Sequence, residues 1–198
     1  HIIRVILSAL GVQAFVMSLA SGTPIWQVIA LVMTSPIFVL IGAKVFLGEI
    51  VTPARWIAAV VGLGGASIVA NLWTTGLTTA MIYPVAAAVL WAASSLLTKV
   101  LTRTEQAPTV TLWLLVLLTP INAGLSVQAG FELPSAQILG WLVLGGIIMM
   151  AAQYLLTWAY AATDAAFVQP FDDLKLISNI LIYGLAFGYW PEGNIWAG

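Results

Sequence analysis

The amino-acid sequence predicts an all-α fold, a polytopic bundle of transmembrane helices with about seven spans and a truncated eighth, and three observations lead there. Of 198 residues, 62% are hydrophobic and only 7% charged, with a mean hydropathy of +1.07, whereas soluble domains carry roughly 25% charged residues. Seven stretches reach the roughly 20 apolar residues that an α-helix needs to cross the hydrocarbon core: approximately 2–20, 25–47, 55–72, 80–101, 109–129, 136–159 and 164–189. Lysine and arginine, finally, gather in alternate connections between these stretches.

The first stretch carries Arg4 near its start and Gln13 at mid-depth, and ends at Ser21-Gly22-Thr23-Pro24. A chain that opens on His1 and is apolar by Ile2 reads as continuing from upstream. It is not a secretory signal, because long apolar runs recur along its whole length. The second stretch contains Thr34, Ser35 and Pro36 and gives way to the connection from Glu49 to Pro53. The third presents Ala58, Gly62 and Ala66 at four-residue steps, a small-residue face for close helix contact, and stops between Asn71 and Thr79. The fourth holds Tyr83, Trp91, Ser94, Ser95 and Lys99 and ends between Arg103 and Pro108. The fifth, with Trp113 and Asn122, ends between Gly130 and Ser135. The sixth, with Gln153, Tyr154, Thr157 and Trp158, ends at a tight Ala161-Ala162-Thr163. The seventh contains Gln169, Pro170, Asp172, Asp173, Lys175 and Asn179 and closes at Trp190-Pro191-Glu192-Gly193. Asn194 to Gly198 read as the first turns of a further helix.

Connections this short make neighbouring helices antiparallel. Strict alternation then puts Arg4, Lys44, Arg55, Lys99 and Arg103 on one side, while the opposite connections hold only Glu132 and Glu192. Since Lys and Arg collect in short cytoplasmic loops, the cationic side is assigned to the cytoplasm. Trp26, Trp73, Trp141, Trp190 and Trp196 fall near span ends, where interfacial aromatics belong.

Composition also excludes functions. There is no cysteine, so disulfides, thiolate metal sites and a cysteine nucleophile are ruled out, and the lone histidine is residue 1, which removes His-Glu-x-x-His and Ser-His arrangements. No Gly-Lys-Ser/Thr phosphate loop is present, so energy would come from a gradient rather than ATP. Six cations against seven anions leave no basic patch for nucleic acid. No cofactor and no metal are expected.

The residues that stand out are charges inside the seventh stretch, since a membrane-embedded charge costs several kcal/mol unless paired or hydrated. Gln169, Asp172, Lys175, Asn179 and Tyr183 recur at three- and four-residue steps and form one polar stripe. Asp172 and Lys175 can neutralise each other, while Asp173 is turned about 100° away. The stripe is read as a substrate or coupling surface, with Asp172 or Asp173 as a proton-linked group and Lys175 tuning it. The competing reading is an ion pair that only fixes packing. Pro36 and Pro170, inside their spans, are hinge candidates. Gln153, Tyr154, Trp158, Trp91 and Gln13 are further candidates for substrate contact. Glu49 is read as structural, capping the next helix or pairing across its loop with Lys44 or Arg55, and Asp164 as a helix cap.

Leu47 to Trp56 parallels Phe187 to Trp196 at an offset of 140, on opposite faces by the topology above, which is the mark of an inverted duplication in secondary transporters. Three stretches then carry a resemblance to a known family. These are Arg4 to Ala20 with Ser35-Pro36-Ile37-Phe38, Phe46-Leu47-Gly48-Glu49, Trp56-Ile57 and Gly62 to Gly65; Ala86 to Lys99; and Ala159-Tyr160 through Pro170-Phe171 to Phe187-Gly188. Together they resemble the EamA-type branch of the drug/metabolite transporter superfamily over nearly the whole chain, with Tyr189 and Asp173 departing from its pattern. The resemblance implies an inverted-repeat secondary transporter of which residues 1–75 form most of the first half-repeat (three spans) and 76–198 the second (four spans and the start of a fifth), equivalent to the third to ninth of ten helices. It places the helix of Gln153, Tyr154 and Trp158 beside the cavity. It further implies a small-metabolite substrate such as an amino acid, exported across a bacterial inner membrane by alternating access. Membrane lipids and a proton or exchanged solute would be the other partners, and the protein would be a monomer or homodimer. The rival classes are an intramembrane aspartate enzyme and a channel or scaffold subunit.

Overall fold

The computed structural model describes residues 1–23, 25–69, 79–130 and 133–172, with positions 178, 181 and 185. Among them there is no strand. Helix α1 (Ile2–Ala20) is followed by α2 (Ile25–Val32), α3 (Ser35–Phe46) and α4 (Pro53–Val69). A single 3-10 turn, Thr79–Met81, leads into α5 (Ile82–Leu101), and α6 (Ala107–Gln128), α7 (Ala136–Ala162) and α8 (Ala165–Asp172) complete the order. Five segments are long and apolar enough to cross a bilayer: Ile2–Ala20, Gln27–Phe46, Thr79–Leu101, Ala107–Gln128 and Ala136–Ala162. Helix α4, at 17 residues, reaches about 26 Å, and its expected end at 72 lies outside the described residues. Only the beginning of the seventh stretch is described.

The expected second span, described as Gln27–Phe46, is interrupted partway along. It breaks at Met33-Thr34, where the Thr34 hydroxyl donates to the Leu31 carbonyl at 2.8 Å, and α3 restarts with Pro36 in its first turn. Proline fits there because its fixed φ suits a first turn and the missing N–H would have had no intrahelical partner. Pro36 therefore lies inside the span, two residues past its interruption. Pro120, which the sequence reading passed over, is the proline within the interior of α6. The sixth span also runs further than expected, to Ala162, so the turn narrows to Thr163 and Asp164.

Close packing rests on small residues. Val39, Leu40, Ala43, Ala59, Ala92, Tyr160, Ala165, Ala166 and Val168 form the buried cluster that joins α3, α4, α5, α7 and α8. On α4 the expected small-residue face is met at Ala66, buried, and Gly62, half-buried, whereas Ala58 is exposed and Ala59 is the buried residue at that turn. Helix α1 lies most extensively against α5. A side chain at Gly11 would meet the Trp91 indole, its Cβ falling 2.5 Å from Nε1, and one at Gly42 would collide with Leu96. These two contacts require glycine. Helix α7, by contrast, is exposed on every side from Ala136 to Ala152. Its Leu139, Trp141, Leu142, Ile147 and Met149 are the kind of surface that hydrocarbon solvates.

Candidate transport site and the cationic end

A polar seam runs between α1 and α5. Arg4, Ser8, Gly11 and Phe15 recur at three- and four-residue steps on α1 and face Thr98, Ser94 and Trp91 on α5. The buried Arg4 guanidinium donates from Nη1 to Thr98 Oγ1 at 3.3 Å and from Nη2 to the Val110 carbonyl of α6 at 2.8 Å. Ser8 and Ser94 share a hydrogen bond at 2.7 Å. Near the middle of both helices the seam turns aromatic, with Trp91 over Gly11 and its ring centroid 5.7 Å from that of Phe15, the planes inclined at 38°. Both rings are half-buried. The ring partner of Trp91 among the described residues is Phe15, while Tyr83, on the same helix, is exposed.

The other expected site residues divide. Gln169 is buried in α8, where its Oε1 accepts a hydrogen bond from the Tyr160 hydroxyl at 3.0 Å. Asp172 and Pro170 belong to α8, but their side chains lie outside the described set, as do Asp173, Lys175 and Asn179 altogether. The polar stripe is thus represented by Gln169 alone. On α7, Gln153 is half-buried above the fully buried Thr157, while Tyr154 and Trp158 are 40% and 60% exposed. Helical geometry turns Trp158 about 100° from Thr157. Gln13 is half-buried but lies about 200° around α1 from both Gly11 and Phe15, away from the Trp91 face.

The second concentration of polar groups is at the end of the bundle where the cations were expected. Gly48 adopts φ +67 after α3, a left-handed conformation that glycine takes without steric cost, and the chain doubles back so that the Glu49 N–H donates to the Ala43 carbonyl at 3.0 Å. This directs the Glu49 carboxylate across the bundle to the start of α8. There Oε1 accepts from the Ala165 N–H and Oε2 from the Ala166 N–H, each at 3.0 Å. The cap that Glu49 supplies therefore belongs to a helix 116 residues further on, not to α4. Asp164, displaced from that role, pairs with Arg55 at 3.8 Å. Lys99 donates to the carbonyls of Tyr160 and Thr163 at 3.0 and 2.6 Å, satisfying the last turn of α7, and Arg103 reaches the Leu47 carbonyl at 3.5 Å. These bonds put the 47–55, 99–107 and 162–165 connections at one end, in agreement with the alternation read from the charges.

No family model matches the chain, and no solved structure matches it. Curated relatives do. The chain is 56% identical over all 198 residues to a riboflavin transporter of Rhizobium johnstonii, 42% identical over 203 aligned positions to one of Brucella anthropi, and 42% identical over 199 to one of Vibrio cholerae. Each match takes in the whole of this chain, which spans 65%, 71% and 66% of those relatives' lengths respectively. With these bacterial relatives and its long apolar helices, this is an integral membrane protein of the bacterial plasma membrane. Identity of 42% across 71% of the Brucella protein shows the family, and the chain belongs to the family of membrane transporters that includes these three riboflavin transporters.

Proposed function

We propose that this protein is a secondary transporter that carries riboflavin across the bacterial plasma membrane by alternating access between two inverted halves, 1–75 and 76–198, of an EamA-type fold. The observation that carries the reading is the 56% identity, over the whole chain, to a protein named as a riboflavin transporter. Amino-acid substrates and export, implied by the family resemblance, find no support in the three relatives described above, whose names give riboflavin and no direction. Riboflavin suits the aromatic part of the α1–α5 seam. Its flat tricyclic ring can stack on the Trp91 indole beside Phe15, and base-like rings stacked on aromatic side chains gain about 1–3 kcal/mol. The pair sits near the middle of both helices, the depth at which secondary transporters hold substrate. Asp172, Asp173 and Lys175 are the proposed coupling groups, and Gln153 a polar contact.

Proteoliposome counterflow tests this. Riboflavin uptake should saturate and be competed by flavins but not by amino acids; linear, non-saturating flux would instead identify a pore. Trp91→Ala should weaken half-saturation by about tenfold, and Trp91→Phe, which keeps a ring, should restore most of it. Equal affinity in all three proteins would remove Trp91 from the site.

A further inference from the structure

We infer that Glu49 is the latch of a gate at the cationic end of the bundle: its carboxylate holds α8 against the α3–α4 connection in the closed state, and this pairing breaks each time the transporter opens to that side. The inference rests on the alternating-access reading above. The contacts at this end fall into two kinds. Lys99 binds the final carbonyls of α7 from α5, and the buried Arg4 binds α5 and α6 from α1. Those bonds fasten α1, α5, α6 and the end of α7 together. The bonds that join the α3–α4 connection to this assembly are different in character: Glu49 to two backbone N–H groups, Arg55 to Asp164 at 3.8 Å, and Arg103 to the Leu47 carbonyl at 3.5 Å. Each of these can be exchanged for water when the end opens, because the first N–H groups of a helix have no intrahelical partner and hydrate readily. Asp164 is 53% exposed and Arg55 21% exposed, so water is already at hand.

A second, independent observation is the break at Met33-Thr34. It leaves α3 as a 12-residue arm of about 18 Å whose far end carries Gly48 and Glu49. An arm of this kind, pivoting at a break in the middle of its span, needs a releasable fastening at its tip, and Glu49 is in that position. The surface beneath it is the apolar cluster of Val39, Leu40, Ala43, Ala59, Tyr160, Ala165, Ala166 and Val168, so the Glu49 carboxylate is a polar fastening at the rim of an otherwise apolar contact.

The absence of cysteine from the sequence makes the test direct. In the reconstituted protein, Arg55→Cys with Asp164→Cys, bridged by a short reducible bis-thiol reagent, should abolish riboflavin counterflow, and reduction should restore it. Alongside, a single Ala165→Cys reporter should react slowly with a membrane-impermeant maleimide applied from the cationic side. Adding Glu49→Ala should accelerate that reaction by about five- to tenfold, with Glu49→Gln, which keeps one acceptor, between the two. Undiminished counterflow in the bridged protein, failure of the bridge to form, or equal labelling with and without the Glu49 carboxylate would overturn the latch. If the unbridged protein shows no saturable riboflavin flux at all, the transport reading itself fails. The labelling series still decides the latch in that case, since it needs no substrate.

Discussion

At Gly11 the absence of a side chain decides the position of an aromatic ring. Trp91 occupies the space a Cβ would take, so Gly11→Ala should push the indole out of the seam and away from Phe15. Overpacking of this kind costs about 1–3 kcal/mol. The expected result is a lower melting temperature in detergent together with a weaker riboflavin half-saturation, and a Trp91 that tolerates alanine at residue 11 with neither change would show that the contact is slack. Legibility at this scale was uneven. That Trp91 lies deep could be read from the span limits, and its candidacy followed. Its partner could not, because Tyr83 lies in the same helix and Phe15 comes from a helix far away in sequence. Glu49 shows the same boundary: a carboxylate after Leu-Gly at a helix end announces a cap, but spacing says nothing about a helix start 116 residues away. Asp164 was given the role that Glu49 fills.

Among the elements, the spans themselves were well marked, since hydropathy reports length and polarity directly, and α1, α5, α6 and α7 lie close to their expected bounds. The interruption of the second span was not marked, because α2 and α3 are both apolar and the two residues between them, Met33 and Thr34, barely lower the hydropathy. Pro36 was read as a hinge inside its span, and it lies there just past the interruption at Met33-Thr34. Pro36→Ala removes the residue best suited to that first turn and supplies a good helix former with an N–H. It should favour joining of α2 and α3, with melting temperature unchanged or raised and transport slowed. Loss of transport accompanied by an equal loss of folded protein would instead assign Pro36 to packing.

On the scale of the whole molecule, the sorting of charge was the most informative part of the sequence. Alternation alone placed the connections rich in Lys and Arg together, and Arg55, Lys99 and Arg103 do bond across that end. Thr52 and Thr104 are exposed in two of those connections. Single cysteines at either should therefore react with impermeant maleimide from the same face of the membrane, the cytoplasmic one on the charge argument; reaction from opposite faces would undo the topology. Substrate identity lay beyond reach of this scale, because composition reports a membrane solvent and reads the same for many cargoes.

The Arg4 guanidinium has a mechanical corollary. By gripping Thr98 and the Val110 carbonyl at once, it rivets α1 to both α5 and α6. The proposed half-repeats would meet near residue 75, and the rivet crosses that border. On the proposed reading, one buried cation would make α1 travel with two helices of the other half.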